Sequence, residues 1–291
     1  MALTDKLTAI ANAIRAKTGK TEKMSLDAMS SAVSNETVSA SMFTHIMERS
    51  SEAFEVTLPD GITKIGAGAF DSCKGLKTIS IPNSVTSIES SAFYYCDSLQ
   101  KISISNMLTS IGASAFMGCA NLVLASLPSR LTSIRNTAFM GCTNLALTSL
   151  PSGITSIGNG TFGNCTNLAL TSLPSGLTSI GGNAFGNCTN LALTSLPNGL
   201  TSIGTNAFQF CTKLALTSIP SAVTKIDMFA FAGCTGLTSI TFEGTPSSIA
   251  TLAFDGCTNL KTINVPWAEG AVSGAPWGAT NATINYNYTG E

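Results

Sequence analysis

The nine cysteines of the chain are evenly spaced, and this spacing limits the possible folds more than any other feature. Each cysteine follows the previous one by 23 residues, a phenylalanine lies three residues before each cysteine, and an isoleucine recurs at the same interval. The cysteines are Cys73, Cys96, Cys119, Cys142, Cys165, Cys188, Cys211, Cys234 and Cys257. A fixed period of this length predicts a solenoid, in which each repeat forms one turn and buries its apolar face against neighbouring turns.

One regular copy, residues 76–96, shows how a turn is built. Alternating apolar residues predict a short strand that ends at Ile81, and Pro82 then starts a turn. A second extended segment ends at Ile88, and residues 91–96 suit one turn of helix that places a phenylalanine and a cysteine in the core. We therefore predict a β-rich repeat solenoid of about ten turns.

The periodicity divides the chain into four predicted segments. Residues 1–35 have apolar side chains at helical spacing and form a small N-terminal helical module. Residues 36–52 lack the period and are interpreted as a connection or an irregular N-cap. The repeats occupy residues 53–266, and residues 267–291 form a degenerate capping repeat.

The two ends of the stack can be placed by counting in steps of one period. At the N-terminal end, Ala53, Val56 and Leu58 lie one period before core positions of the regular copy, which predicts that the stack begins near Phe54.

At the C-terminal end, Trp277 lies one period after Phe254 and is predicted to fill the phenylalanine position. Tyr286 lies one period after Ile263, and Tyr288 follows it by two residues. We predict that these tyrosines close the strand ladder with their hydroxyls toward water.

Five consecutive turns depart from the pattern: four read Leu-x-Leu-x-x-Leu-Pro and the fifth reads Leu-x-Leu-x-x-Ile-Pro. In strict register their second leucines point outward; these are Leu124, Leu147, Leu170, Leu193 and Leu216. Such a stripe would be a binding or oligomer interface. Alternatively, a bulge turns these leucines back into the core, which is the interpretation we favour.

The distribution of charge and of catalytic residue types argues against an enzyme. The formal net charge is -1 and only 11% of residues are charged, which excludes nucleic acid as the main partner. No Asp or Glu lies between Ser98 and Ile226, so the middle of the chain lacks the carboxylate pair of a hydrolase. The single histidine, His45, lies outside the repeats and leaves the serines and cysteines without a nearby general base.

The cysteines themselves are interpreted as small buried core residues. They lack CxxC pairs, which argues against a metal site, and their side chains point the same way in adjacent turns, which argues against disulfides. We predict reduced thiols, no metal and no cofactor.

The sequence gives no sign of membrane insertion or export. It contains no apolar run of about 18 residues, so we expect no membrane span. The N-terminus carries Asp5 and lacks the apolar core of a signal peptide, so the chain as it stands is not marked for export.

The repeat pattern xxIGxxAFxxCxxLxxIxIPxxVT resembles the BspA-type leucine-rich repeat over about residues 53–266. This resemblance implies a bacterial, non-enzymatic surface or adhesion protein that binds host or extracellular macromolecules. The termini separately resemble phage and prophage tail-associated proteins of gut Firmicutes. That second resemblance implies a virion-associated protein, attached to a particle or to other copies of itself through residues 1–35.

The outward positions of the first strand form the candidate binding surface. They are Lys77, Thr78, Ser80, Lys101, Ser103, Thr238, Thr241 and Lys261. Trp267, which has no counterpart in the phenylalanine register, either stacks on a sugar or packs onto the cap. Such a neutral surface suits an extracellular glycan or protein; the alternative function is a structural spacer or assembly component of a phage tail.

Overall fold

The chain winds into a parallel β-solenoid of about ten turns, described by a computed structural model over residues 37–38, 53–58 and 60–290. Every strand pair is parallel, and most paired residues are 23 positions apart. No helix occurs in these three ranges, and the predicted helical module, residues 1–35, lies outside them.

The strands are short and form two ladders that run along the solenoid. In chain order they are β1 (Thr37–Val38), β2 (Phe54–Thr57), β3 (Lys64–Ile65), β4 (Leu76–Ser80), β5 (Ser87–Ile88), β6 (Lys101–Ser103), β7 (Ser110–Ile111), β8 (Ser133–Ile134), β9 (Ser156–Ile157), β10 (Ser179–Ile180), β11 (Ser202–Ile203), β12 (Ser218–Ile219), β13 (Lys225–Ile226), β14 (Ser239–Phe242), β15 (Ser248–Ile249), β16 (Thr262–Asn264) and β17 (Thr283–Asn285). The first ladder comprises the sheets β2-β4-β6 and β12-β14-β16-β17. The second ladder comprises β1-β3-β5-β7-β8 and β9-β10-β11-β13-β15.

The remaining side of each turn consists of consecutive tight turns, so the predicted turn of helix over residues 91–96 is wrong. Backbone N–H groups alternate between two uses: Phe93 donates to Ala115 of the next turn at 2.7 Å, whereas Cys96 donates to Phe93 at 3.2 Å. A helix would keep all these bonds within one turn. Ser91 and Tyr95 take positive φ angles of 57° and 48°, which bend the backbone so that alternate groups reach the next turn.

The core consists of continuous columns of identical side chains. Nine phenylalanine rings, from Phe70 to Phe254, stack with centroids 5.0–5.7 Å apart. Beside them, each cysteine from Cys96 onward donates its S–H to a phenylalanine carbonyl of the previous turn, as Cys188 does to Phe162 at 3.0 Å. These columns connect successive turns along the whole stack. The strand ladders do not, because each of them consists of two separate sheets.

The five turns with the altered leucine pattern interrupt the first ladder. Residues 121–217 contain no strand of this ladder, and the fifth turn contributes only the two residues of β12. Even so, Leu147, Leu170, Leu193 and Leu216 are buried, and Leu124 is partly buried against the core. The inward orientation is therefore confirmed, and the leucines form no exposed stripe. The backbone change is larger than a bulge, because the strands of this ladder are lost and single backbone bonds remain, such as that from the Ala192 N–H to the Leu170 carbonyl at 3.2 Å.

At the N-terminal end, the first ladder begins near Phe54 as predicted but with a shifted register, whereas the stack itself begins earlier, because β1 pairs with β3. Val56 and Leu58 are buried and Val56 pairs with Ile79, as the period requires. The predicted position of Ala53 is wrong, because a bulge after Phe54 pairs that residue with Leu76 and leaves Ala53 exposed.

The C-terminal cap is shorter than a regular turn. Trp277 is fully buried, as predicted. The predicted register of the tyrosines is wrong, because β17 pairs with β16 at an offset of 21 residues and Ile284, not Tyr286, lies beside Ile263. Tyr286 is partly buried against the core, and the Tyr288 N–H donates back to Val265.

Candidate binding groove

A groove runs along the solenoid beside the second strand ladder and crosses the central turns. Its volume is about 760 Å³, and it extends from Asn136 to Asp227. Three rows of residues, each with one member per turn, form two walls and a floor. We call this feature the central groove.

A row of serines forms one wall of the central groove. Ser156, Ser179 and Ser202 begin β9, β10 and β11, and they are direct register partners. Adjacent members therefore lie about 4.8 Å apart, the spacing of neighbouring strands. Their hydroxyls make no hydrogen bond to the described residues, so each can donate and accept one.

A row of glycines, Gly158, Gly181 and Gly204, forms the floor. A Cβ atom on Gly181 would lie 2.6 Å from Asn159 Oδ1, and one on Gly204 would lie 2.6 Å from the Gly182 nitrogen. The backbones of adjacent turns thus approach closely here, and a side chain at either position would require the neighbouring turn to shift.

The second wall begins with two amides, Asn136 and Asn159, and continues with Gly182 and Thr205. Asn136 Oδ1 accepts the Asn159 N–H at 3.0 Å, and Asn159 Oδ1 accepts the Gly182 N–H at 2.8 Å. These bonds fix both side chains across successive turns. The two amide NH₂ groups have no partner among the described residues and remain as donors along the wall.

The groove is electrically neutral. Lys225 and Asp227 close its C-terminal end, and their side chains form an ion pair at 2.8 Å. Among the described residues, no other charged side chain lines the groove. The surface thus offers hydroxyl and amide hydrogen bonds without net charge.

The groove begins where the second ladder divides between β8 and β9. At this joint Thr161 replaces the alanine that precedes the phenylalanine in the other repeats, and it is fully buried with its hydroxyl donating to the Gly158 carbonyl at 2.9 Å. The spacing from Phe139 to Phe162 is 5.7 Å, the widest in the ring column. A larger buried side chain and a wider spacing between the stacked rings of adjacent turns therefore coincide with the start of the groove.

The structure divides the predicted binding surface into two separate groups. Five positions lie on or beside β4 and β6; they are Lys77, Thr78, Ser80, Lys101 and Ser103. The others, Thr238, Thr241 and Lys261, lie on or beside β14 and β16. All are exposed or half-buried, but the turns without first-ladder strands separate the two groups. The candidate surface therefore consists of two separate patches, and its role in binding stays a prediction.

Trp267 packs onto the cap, and its alternative role in sugar stacking is wrong. The side chain is only 5% exposed, and its ring makes edge contacts with Phe242 at 5.3 Å and Trp277 at 6.3 Å. An aromatic cluster closes the C-terminal end of the core, so no face of this indole is available to a ligand.

The central groove was not predicted from the sequence. The available signal was the column after each second-strand isoleucine, which reads Arg135, Gly158, Gly181, Gly204 and Asp227. Three glycines between two charged residues indicate a gap in the row of side chains. Counting apolar positions alone does not detect it.

The cysteine column offers no reactive site. All nine cysteines are buried, and no disulfide joins them. Burial is the main cause that raises the pKa of the seven thiols from Cys119 to Cys257, to about 12 for Cys188 and Cys257. Hydrogen bonding to Cys119, then burial, raises the pKa of Cys96. Thiols held in the neutral form are poor nucleophiles.

Neither a candidate metal site nor a membrane-spanning helix occurs in the described part of the chain. Within the described ranges, no group of three or more histidine, cysteine or acidic residues could hold a metal ion. The same part of the chain contains no helix long and apolar enough to cross a membrane.

Uniform turns joined by parallel ladders and a phenylalanine column define the class as a leucine-rich-repeat solenoid. Residues 36–169 and 166–269 match the BspA type leucine rich repeat region in six copies. The chain belongs to this family. The match ends at residue 269 and gives no support to the resemblance of the termini to phage tail proteins.

A solved leucine-rich repeat structure shares the fold. A leucine-rich repeat protein from Bacteroides ovatus has a TM-score of 0.66 and 27% identity, over 86% of this chain and 63% of that protein. The chain thus spans less than two thirds of that relative's length. A leucine rich cell surface protein from Faecalibacterium prausnitzii has a TM-score of 0.48 and 25% identity, over 82% and 89% of the two chains. No curated protein is significantly similar in sequence.

Proposed function

We propose that this protein is a non-enzymatic binding protein that presents the central groove to an extracellular macromolecule. The observation that carries the proposal is the groove itself, an open channel with unused hydroxyl and amide groups and no net charge. Ligand sites are commonly concave and contain a few polar groups in fixed positions. Adhesion, on a cell or on a particle, is the role that follows from such a surface.

Two further features support this proposal. Membership in the BspA-type family is consistent with a surface or adhesion role. The buried, neutral thiols and the absence of acidic residues between Ser98 and Ile226 favour binding over chemistry. Attachment through residues 1–35, to other copies or to a larger particle, completes the proposal.

Binding of the labelled full chain to intact bacterial and epithelial cells tests the proposal. We expect saturable binding to one cell type, and we expect it to survive deletion of residues 1–35. Gly158→Arg should abolish it by filling the groove and by displacing the Asn136 side chain, whose Oδ1 a Cβ atom at residue 158 would contact. Arginine already occurs in this column one turn earlier, as Arg135. Ala250→Arg adds the same side chain to the same column beyond the groove and should bind normally.

Absence of binding to every cell type would overturn the proposal and favour a spacer or assembly element. Binding that Gly158→Arg leaves intact would place the interaction elsewhere, with the two groups on the first ladder as the next surfaces to test. Circular dichroism should show that both arginine variants keep the solenoid fold.

A further inference from the structure

We propose that the ligand of the central groove is a linear, uncharged oligosaccharide that lies along the solenoid axis. This inference rests on the proposed function and specifies its ligand. It depends on which hydrogen-bonding groups the groove leaves unused, how they repeat, and which other ligands its backbone and charge disfavour.

The unused groups match the hydroxyls of a sugar. Each serine hydroxyl of the wall can both donate and accept a hydrogen bond, and the Asn136 and Asn159 amides add donors on the opposite side. A sugar hydroxyl also donates and accepts, so it can bridge from one wall to a neighbouring ring. Ile157 and Ile180 also line the groove and add apolar contact for the C–H face of a sugar.

The repeat of these groups favours a regular polymer. Ser156, Ser179 and Ser202 recur once per turn, at about 4.8 Å, along the direction of the groove. A ligand with a repeating unit meets the same group in successive turns. Affinity should therefore rise with the number of sugar units until the groove is filled, and then stay constant.

An extended peptide fits the groove poorly. Peptides that bind to β-structure pair with a free strand edge, where backbone groups are unused. Here β10 pairs with β9 and β11, and β11 also pairs with β13. The strand edge that remains among the groove residues is that of β9, which has only two residues and is too short to pair with an extended peptide. The glycine floor also offers no separate pockets for alternate side chains.

A charged ligand is disfavoured as well. The only cation that lines the groove, Lys225, is paired with Asp227 at 2.8 Å. An anionic sugar or a phosphate would have to break this ion pair, or its negative charge would have no positive partner in the groove. The neutral lining of the groove therefore favours an uncharged ligand.

The test measures binding of the full chain to neutral linear oligosaccharides by calorimetry. The probes are β-linked glucose, mannose, xylose and N-acetylglucosamine oligomers of increasing length. We expect one series to bind, with affinity rising with length to a plateau. The triple variant Ser156→Ala/Ser179→Ala/Ser202→Ala should bind at least about tenfold more weakly, since three hydrogen bonds are lost.

The matched control is Ser110→Ala/Ser133→Ala/Ser248→Ala, which removes three hydroxyls from the same column outside the groove. It should bind like the parent chain. Equal weakening in both triple variants would overturn the assignment to the groove, and so would equal binding by both. Failure of every neutral series to bind would overturn the oligosaccharide.

Cell binding separates this inference from the proposed function. If periodate treatment of the cells removes binding and protease treatment does not, the oligosaccharide is supported. If protease treatment removes binding, periodate does not, and the groove triple variant still fails to bind, the ligand is a protein. In that case the oligosaccharide is wrong while the proposed function stands.

Discussion

The central turns, residues 122–217, and the outer turns on either side differ in what holds them together. The outer turns have strands on both ladders, whereas the central turns have only the second. The phenylalanine and cysteine columns nevertheless pass through both regions without a gap. Side-chain columns, rather than continuous sheets, are therefore the common support of the solenoid. The central turns therefore lack first-ladder strands and still form the groove.

Alkaline pH should have the largest effect on stability, because it acts on the cysteine column of the central and the outer turns together. Burial raises the folded pKa of Cys188 and Cys257 to about 12, above the ordinary 9.0. The stability from these neutral thiols is fully present below pH 9 and is lost as pH rises toward 12. We expect one cooperative loss of circular dichroism in this window, with thiol labelling appearing at the same pH. Complete labelling of a folded chain at neutral pH would contradict the burial of the column.

Phe162→Ala and Phe93→Ala compare the ring column in the central and outer turns. Both rings are fully buried and stacked on two neighbours, so each change should reduce the free energy of unfolding by about 3–5 kcal/mol. Chemical denaturation measures this quantity. A small loss at Phe162 beside a large one at Phe93 would show that the column does not support the central turns.

Leu170→Ala tests whether the altered leucines contribute to the core. Leu170 is fully buried, so we expect a loss of about 2–5 kcal/mol, similar to that of Leu76→Ala in an outer turn. An exposed leucine would lose only about 0.5 kcal/mol or less. Denaturation of the two variants under the same conditions distinguishes these cases, and Thr171→Ala, at an exposed neighbour, is the control.

Substituting the two tryptophans of the C-terminal outer turns should reduce the free energy of unfolding by different amounts, both smaller than the losses expected for Phe162→Ala. Trp277 Nε1 donates to the Ser273 carbonyl at 2.8 Å, so Trp277→Phe should cost about 1–3 kcal/mol. Trp267 Nε1 is buried without a partner in the described chain, so Trp267→Phe should stay within about 1 kcal/mol of the parent. Thermal unfolding of both variants measures the difference. Equal losses would mean that the Trp267 indole N–H has a partner, such as a buried water.

The core was predictable because its signal is repeated in almost every turn. The interval of the cysteines and phenylalanines fixed the stacking, and Trp277 could be placed by counting. The turn structure was not predictable, because a phenylalanine and a cysteine three residues apart suit one turn of helix as well as consecutive tight turns. Only the positive φ angles at Ser91 and Tyr95 separate the two.

The ends and the groove were harder to predict for different reasons. At the cap, β17 pairs at an offset of 21, and a count in steps of 23 cannot reveal two missing residues. The groove depends on the absence of side chains at Gly158, Gly181 and Gly204, whereas the sequence analysis followed the residues that repeat. Its walls could be recognised only once the ladder had placed Ser156 beside Ser179.

Because adjacent turns are joined by the same bonds, the solenoid can change length without redesign. The Phe162 N–H donates to Ala184 just as the Phe185 N–H donates to Ala207, and the thiol bonds repeat in the same way. Recombination between two copies of the repeat in the gene would add or remove one whole turn and leave every remaining joint intact. The reach of the protein along its ligand would then vary among descendants in whole steps, while the cap and the core stayed the same.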